Sequence, residues 1–299
     1  MNYLVTGATG FIGRPLVEEL LRRGHSVNYL ARRRSQLLDS RAAFHLWNPT
    51  EDLSLSSVPR LDAIIHLAGE PVAQRWTEEV KRRIYESRVE GTRQVVAAVG
   101  PLQHRPSVLV SASATGYYGD RGDEILTEAS SAGTGFLADL CVQWEREASR
   151  AREQGIRVVP LRISAVLGAG GGALKKMVPP FRMGLGGRLE SGRQWMSWIH
   201  LRDIVRLLIF AAENESITGP MNGSSPKPVT NAEFTKALAR QVHRSTMLPA
   251  PKFALRIVLG EMVDFLFSSE RVIPDAAQRA GFSFEHPSLE GALRNVLGG

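Results

Sequence analysis

The sequence predicts an α/β fold, with a doubly wound parallel sheet followed by a smaller mixed lobe on the substrate side. Two observations support this prediction. Apolar strand-like runs alternate with helical patterns over the first half of the chain, and a glycine-rich turn directly follows the first run. Apolar strands that alternate with helices are typical of a parallel sheet covered by helices on both faces.

The elements follow one another in a regular order up to about residue 165. Strands are predicted at residues 3–5, 26–31, 62–67, 107–112 and 157–163, and helices at 13–23, 76–99 and 136–154. We therefore predict that residues 1–165 form a nucleotide-binding domain.

The pattern changes after about residue 168, where glycine-rich loops appear at 168–172 and 184–187. Residues 166–299 are predicted to form the substrate-side lobe, including a C-terminal module at about 249–297. A strand and a helix near 195–212 are expected to return to the first domain. One apolar helix is predicted over 253–267, which can pack within the lobe, cover a substrate cleft or form the face of a homodimer.

Composition excludes several classes of protein. The hydrophobic fraction of 43% and charged fraction of 22% are ordinary for a soluble chain of 299 residues. No apolar segment approaches the roughly 20 residues that span a bilayer, and no signal peptide is evident, so we expect a cytoplasmic protein without membrane contact. The single cysteine, Cys141, fits a reducing compartment, and no metal site is predicted. The sequence has a net charge of +7 but no nucleic-acid-binding motif, so the positive charge is better explained by binding of an anionic small ligand.

The first strand leads into the turn VTGATGFIG, which opens the first helix. Gly7 permits a tight turn, Gly10 lets the backbone approach a pyrophosphate, and Gly13 permits close packing of helix on sheet. The free N–H groups at the helix N-terminus would bind the pyrophosphate, so the whole turn, including Thr9, Phe11 and Ile12, is predicted to contact the cofactor. Together with the alternating elements, this turn predicts a Rossmann-type dinucleotide site.

The end of the second strand distinguishes the two nicotinamide cofactors. An acidic residue there would bind the adenosine ribose, whereas arginine accommodates a 2′-phosphate. This chain carries three arginines and no acid at 32–34. We predict that the cofactor is NADP, bound through Arg32 with Arg33 assisting.

Small residues also follow the third of the predicted strands. Leu67, Ala68, Gly69 and Glu70 come where the carboxyl end of a parallel strand meets a nucleotide ligand. We expect them to flank the adenosine ribose or the diphosphate, although a tight turn alone would require the same small residues.

Several motifs together resemble the extended short-chain dehydrogenases/reductases, the superfamily of sugar-nucleotide epimerases and dehydratases. They are TGATGFIG (6–13), HLAG (66–69), VEGT (89–92), SASAT (111–115), PLR (160–162) and WIHLRD (198–203). GYYG (116–119), LGAGGG (167–172), WMSWIH (195–200) and the tail SERVIP (269–274) resemble the narrower branch of epimerase family proteins, SulA-like, with its C-terminal module. The resemblance implies NADP binding and leaves the substrate unassigned.

The resemblance also implies a serine, a tyrosine and a lysine four residues after the tyrosine as catalytic residues. Ser113 matches the serine, but Leu137 and Cys141 occupy the other two positions when Glu145 sets the register. Tyr117 or Tyr118 can replace the tyrosine, and packing is the alternative role for both. The other motif residues implied to contact the cofactor are Ser111, Arg88 and Arg162.

Candidates for the substrate side are Arg193, Trp198 and His200. Arginine suits a phosphate and an indole can stack on a base, whereas a basic loop with packing tryptophans is the alternative. Asp203 is expected to cap the helix that follows.

Two functional hypotheses follow. The first is an NADP-dependent oxidoreductase or epimerase-like enzyme that acts on an unknown small molecule without the Tyr–Lys pair. The second is a non-catalytic NADP(H)-binding redox sensor that acts through a protein partner, with cell or organelle division as one setting implied by a relative.

Overall fold

The computed structural model describes residues 1–48, 51–245 and 252–298. The strands are β1 Asn2–Thr6, β2 Ser26–Ala31, β3 Ala43–Leu46, β4 Ala63–His66, β5 Val108–Ala114, β6 Ile125–Leu126, β7 Arg157–Ile163, β8 Ala165–Leu167, β9 Trp195–Met196, β10 Trp198–His200, β11 Met221–Gly223, β12 Val229–Thr230 and β13 Arg271–Val272. The helices are α1 Gly13–Arg22, α2 Glu78–Val99, α3 Phe136–Ser149, α4 Gly172–Arg182, α5 Leu201–Glu213, α6 Asn231–Gln241, α7 Lys252–Leu259, α8 Met262–Leu266, α9 Asp275–Arg279 and α10 Leu289–Leu297.

A seven-stranded sheet forms the centre, in the order β11-β7-β5-β4-β1-β2-β3, with every neighbouring pair parallel. The predicted α/β fold with a doubly wound, Rossmann-type sheet is therefore confirmed. The edge strands β3 and β11 were not predicted. β3 has no residue that is fully buried and β11 has only three residues, so neither gives the apolar run that marked the inner strands.

Helices cover both faces of the sheet because successive strand residues point in opposite directions. Tyr3 and Val5 of β1 pack into one core with α1 and α5, while Leu4 packs into a second core that includes residues of α2. The packing of α5 against this sheet brings the segment near 195–212 back to the first half of the chain. The carboxyl ends of the parallel strands consequently meet at one edge, which is where ligands bind in such sheets.

The remainder of the chain is a mixed lobe with its own core, formed by residues of α4, α6 and α10 around Trp198. Several contacts join its last part to the first half, and two of them involve β13 and α8. β13 pairs in parallel with β6, and Met262 of α8 packs beside Trp76 and Leu140.

The prediction of one apolar helix over 253–267 was wrong, because the segment is divided into α7 and α8 at Gly260. Gly260 has φ +62°, and a Cβ there would lie 3.0 Å from the carbonyl oxygen of Trp76. The break lets this segment turn against the loop that follows β4. Among the described residues, no helix combines the length and apolar character that a bilayer crossing requires.

Candidate functional site

The glycine turn between β1 and α1 is closed by backbone contacts that leave no room for side chains. Gly7 has φ +66°, and a Cβ there would lie 2.7 Å from the carbonyl carbon of Leu67. A Cβ at Gly13 would overlap the Gly7 carbonyl oxygen, whereas the backbone at Thr9 and Gly10 is exposed. No side chain caps α1, whose N-cap residue is Ile12, and its first turn holds no acid. The turn therefore offers exposed backbone and a helix N-terminus compatible with an anion.

The loop after β4 is attached to this turn through the side chain of Thr6. The Thr6 hydroxyl oxygen accepts hydrogen bonds from the backbone N–H groups of Leu67 and Ala68, both at 3.1 Å. It also lies 2.7 Å from Nδ1 of His66, which is fully buried. Burial lowers the pKa of His66 to about 4, and Arg88 adds to this effect, so the imidazole is neutral near pH 7.

Phe11 contacts a part of the chain that the sequence did not connect with it. Its ring fills the space in front of Gly168, Gly171 and Gly172, where a Cβ at any of the three would clash with the ring. The packing of Phe11 thus explains why glycines stand at these positions. It also brings the glycine turn after β1 into contact with the start of α4.

Arg32, Arg33 and Arg34 follow β2 and are all exposed. Within the described part of the chain, no carboxylate lies within ion-pairing distance of any of them. Their charges are therefore available to an anion at the edge of the sheet where Arg32 was predicted to act.

Arg88 lies beneath the loop that contains Gly69 and Glu70. Its Nη1 donates a hydrogen bond of 2.8 Å to the Glu70 carbonyl oxygen, and a Cβ at Gly69 would lie 3.1 Å from its Cζ. The guanidinium carbon stands 5.2 Å from the centre of the Trp144 ring. Burial lowers the pKa of Arg88 to about 10, so it remains a cation at neutral pH.

Ser113 belongs to a hydrogen-bonded network at the end of β5. Its hydroxyl donates to Oε1 of Glu145 at 2.7 Å, and Arg162 binds the same carboxylate through Nε at 2.8 Å and Nη2 at 2.9 Å. Nη1 of Arg162 donates to the Tyr118 hydroxyl, which donates to Oδ1 of Asn222 at 2.7 Å. The network fixes the Ser113 hydroxyl, so that its oxygen can accept a further hydrogen bond.

Two predictions fail in this network. Tyr118 is 0% exposed and its hydroxyl is fully engaged, and burial raises its pKa to about 12, so it is not placed to act as an acid or base. Arg162, predicted to contact the cofactor, is 3% exposed, and its guanidinium group is bound to Glu145 and Tyr118. Its guanidinium carbon also lies 3.4 Å from the centre of the half-buried Tyr117 ring, which makes Tyr117 a packing partner. Ser111 is buried within the sheet.

The substrate-side candidates differ in their exposure to solvent and do not form one site. Arg193 is exposed, but Trp198 is fully buried in the core of the lobe, where its Nε1 donates to the Lys227 carbonyl oxygen. The stacking role predicted for Trp198 is therefore wrong.

His200 is also a structural residue, because its Nδ1 accepts the Arg202 N–H as the N-cap of α5. Its ring lies 3.8 Å from the ring of His286, and burial lowers its pKa to about 4. Asp203 does not cap the helix as expected. Its carboxylate accepts the backbone N–H groups of Glu285 and His286 from the C-terminal module.

The positions of the missing pair are apolar. Leu137 packs against Gly116, where a Cβ would lie 3.2 Å from the Cβ of Leu137. Cys141 is 1% exposed, with Sγ 3.7 Å from the Ala114 carbonyl oxygen. Burial raises the pKa of this thiol to about 12, and it is neutral at pH 7. Across the described ranges, no three His, Cys, Asp or Glu side chains gather as metal ligands.

Comparison with known proteins identifies the family. Residues 3–222 match the model of the NAD dependent epimerase/dehydratase family, and residues 250–296 match a domain of unknown function, DUF1731. The chain belongs to this epimerase/dehydratase family.

Relatives within the epimerase/dehydratase family match along their length. An epimerase family protein of Mycobacterium bovis is 42% identical and covers 97% of this chain and 95% of its own. The chloroplastic SDR39U1 homolog of Arabidopsis thaliana is 39% identical, with 99% and 87% covered. The crystal structure of human epimerase family protein SDR39U1 with NADPH superposes with a TM-score of 0.90 at 31% identity, covering 100% of this chain and 99% of that one. The resemblance to the epimerase family branch and its C-terminal module is therefore confirmed.

Two residues beside this site were not predicted to take part in it. Asn222 lies on the unpredicted edge strand β11, and Glu270 precedes β13 in the C-terminal module. Asn222 belongs to no quoted motif, and Glu270 stands in the tail motif, which indicated the family and no chemical role, so only the tertiary structure places the two residues near the end of β5.

Proposed function

We propose that this epimerase/dehydratase family member binds NADP(H) across the carboxyl edge of its sheet and acts as an oxidoreductase or epimerase-like enzyme on a small molecule. The observation that carries the proposal is that the Gly7–Gly13 turn occurs together with exposed arginines after β2, for which the described residues provide no ion pair. The related human protein, crystallised with NADPH, supports the same cofactor.

The residues present fit the cofactor. Exposed backbone at Thr9 and Gly10, at the uncapped start of α1, would hold the diphosphate. Arg32 and Arg33 would hold the 2′-phosphate, and the loop of Leu67, Ala68 and Gly69 would border the adenosine ribose. When bound, the cofactor supplies or accepts a hydride.

Further along the same edge of the sheet, Ser113 and Arg88 are the side chains that we propose to act near the reacting atoms of the substrate. The Ser113 hydroxyl, whose proton is donated to Glu145, would accept a hydrogen bond from a substrate hydroxyl. Arg88 supplies a permanent cation near the position of the missing lysine, since its charge acts on Cys141. We propose that Arg88 takes the electrostatic role that a lysine has in other members.

A second candidate function is a non-catalytic NADP(H) sensor that acts on a protein partner. Leu137 and Cys141 favour it, because neither side chain can exchange a proton at neutral pH. Consumption of NADPH with a panel of aldehydes, ketones and sugar nucleotides separates the two functions. Turnover with any of them supports the enzyme, and tight binding of NADPH without turnover supports the sensor.

The cofactor prediction is tested by calorimetric titration of the chain with NADPH and with NADH. We expect NADPH to bind about 10- to 100-fold more tightly, the range of one or two charge-assisted hydrogen bonds to a phosphate. Arg32→Ala should remove most of this preference while leaving the affinity for NADH unchanged. Arg34→Ala is the matched control and should keep the preference. Equal affinities for the two cofactors in the unsubstituted chain would contradict the proposal.

A further inference from the structure

Glu270 is a buried acid that the C-terminal module places against the end of β5. It is 6% exposed, and its Oε1 has no hydrogen-bond partner among the described residues. An unpartnered buried carboxyl oxygen is costly, so its retention indicates a group that meets a ligand or a substrate.

The backbone around Glu270 is held rigidly. Its N–H donates to the Trp195 carbonyl oxygen at 3.1 Å, and its carbonyl oxygen accepts the Ser197 hydroxyl at 2.6 Å. The neighbouring N–H of Ser269 donates to Oδ1 of Asp120 at 3.2 Å. The following residues form β13, which pairs with β6. The carboxyl group is thus positioned by fixed elements, as an acid–base group requires.

The surroundings of the carboxyl group connect it to the site. The hydroxyl of Thr115 lies beside it, and Thr115 follows Ser113 by two residues at the end of β5. The Ser268 hydroxyl approaches from its own segment. The Ser268 hydroxyl donates its proton to the Phe265 carbonyl oxygen at 2.7 Å, and Oε1 of Glu270 stays without a partner among the described residues.

Among the described residues, no cation pairs with Glu270. The charged group that affects its pKa is Asp120, which has the same sign. Arg271 is turned away onto the Trp195 ring, at 4.2 Å, and Arg162 pairs with Glu145. Burial, with a smaller contribution from Asp120, raises the pKa of Glu270 to about 7 against the opposing effect of the two hydroxyls. A carboxyl group with such a pKa is half protonated at neutral pH and can both give and take a proton.

We propose that Glu270 is the acid–base residue of this site, delivered by the C-terminal module to the end of β5 beside Thr115. The assignment rests on the proposed function. Reduction of a substrate carbonyl needs one proton at oxygen, in addition to the hydride that the reduced cofactor transfers to carbon together with its electron pair. The Glu270 O–H bond breaks to supply that proton, and the carboxylate regains one from water. In the oxidative direction the carboxylate accepts the hydroxyl proton.

The test uses the full chain, labelled with ¹³C at the glutamate carboxyl carbons, and needs no known substrate. The Glu270 signal is identified by its loss in Glu270→Gln, and we expect its midpoint near the pKa of about 7. NADP⁺ carries a positive charge on the nicotinamide and NADPH does not. An acid–base residue within about 4–6 Å of that ring should therefore titrate at a lower pH with NADP⁺ bound than with NADPH bound.

The same coupling is measured through binding. The ratio of the NADPH affinity to the NADP⁺ affinity should fall by up to about tenfold between pH 6 and pH 8, the change that corresponds to one pKa unit. Glu270→Gln should make this ratio independent of pH. Glu290→Gln, an exposed acid of the same module, is the matched control and should behave as the unsubstituted chain.

The outcomes distinguish the two proposals. If neither nucleotide binds the unsubstituted chain, the proposed function is overturned, and the Glu270 assignment with it. If both bind, but the carboxyl midpoint is the same with each and the affinity ratio stays constant with pH, only the Glu270 assignment is overturned. Thermal melting of Glu270→Gln confirms that the variant is folded before either result is interpreted.

Discussion

At the scale of single residues, the end of β5 holds a hydrogen-bonded network in which Glu145 accepts bonds from two side chains. Ser113 is retained and oriented by Glu145, while Arg162 and Tyr118 are absorbed into the support of that pair. Tyr118 lies close to Ser113 in the sequence but does not replace the missing tyrosine, because its hydroxyl is directed towards Asn222 and away from solvent.

Tyr118→Phe is therefore expected to affect stability and not cofactor binding. It removes a buried hydroxyl that bridges Arg162 and Asn222, and the loss should lower the free energy of unfolding by about 1–3 kcal/mol. Urea unfolding gives the change, and calorimetry should show an unaltered affinity for NADPH. Tyr117→Phe keeps the ring beside Arg162 and is expected to change stability by less than about 0.5 kcal/mol. Equal losses in the two variants would refute this difference.

Two features of the predicted site depend on residues that are close together in the sequence. The positive φ of Gly7 and the exposure of the arginines after β2 agree with the motifs, and the contacts of these residues with a cofactor stay a prediction. The burial of Trp198 and the contact of Glu270 with Thr115 depend on segments far apart in the chain. No local pattern encodes those distances.

At the scale of elements, the start of α5 connects the two halves of the molecule. Asp203 is 0% exposed and accepts the Glu285 and His286 N–H groups, while Arg206 pairs with it at 3.2 Å. His200 caps the same helix and packs on the ring of His286. A short helix N-terminus thus anchors the segment that precedes α10.

Asp203→Ala should loosen this attachment. The substitution leaves two backbone donors and the Arg206 guanidinium without their buried acceptor, and should lower the free energy of unfolding by about 3–5 kcal/mol. Hydrogen exchange should show faster exchange at Glu285 and His286, with the amides of β1 unaffected. Asp139→Ala, at an exposed position of α3, is the control and should cost less than about 1 kcal/mol. Unchanged exchange at both amides would contradict the assigned role.

Strands were predictable where they are long enough and buried enough to give an apolar run. β1, β4 and β5 lie inside the sheet and give apolar runs, whereas β3 is a half-exposed edge strand and gives none. The break at Gly260 could not be predicted from the apolar pattern of 253–267, because it arises from the approach of the Trp76 backbone.

At the scale of the whole molecule, Glu270 links stability to pH. Its pKa is raised from 4.5 to about 7 in the folded chain, so folding takes up a proton between these values. The folded state is favoured while that proton is bound, and stability falls as the pH rises through this window.

Glu270→Gln should abolish this loss. Relative to the unsubstituted chain, the variant is expected to gain little stability near pH 4.5 and up to roughly 3 kcal/mol above about pH 8. Urea unfolding of both chains across this range measures the difference. A stability gain that does not change with pH would show that Glu270 does not titrate in this window.

The place of Glu270 in the chain also has a consequence for biosynthesis. Every strand of the central sheet lies within residues 2–223, whereas β13 and the acid before it follow later in the chain. Because a growing polypeptide folds from its N-terminal end, the sheet can form before these later residues are made. The nascent protein would then have the edge that we propose to bind the nucleotide before it has the side chain that we propose to carry the proton.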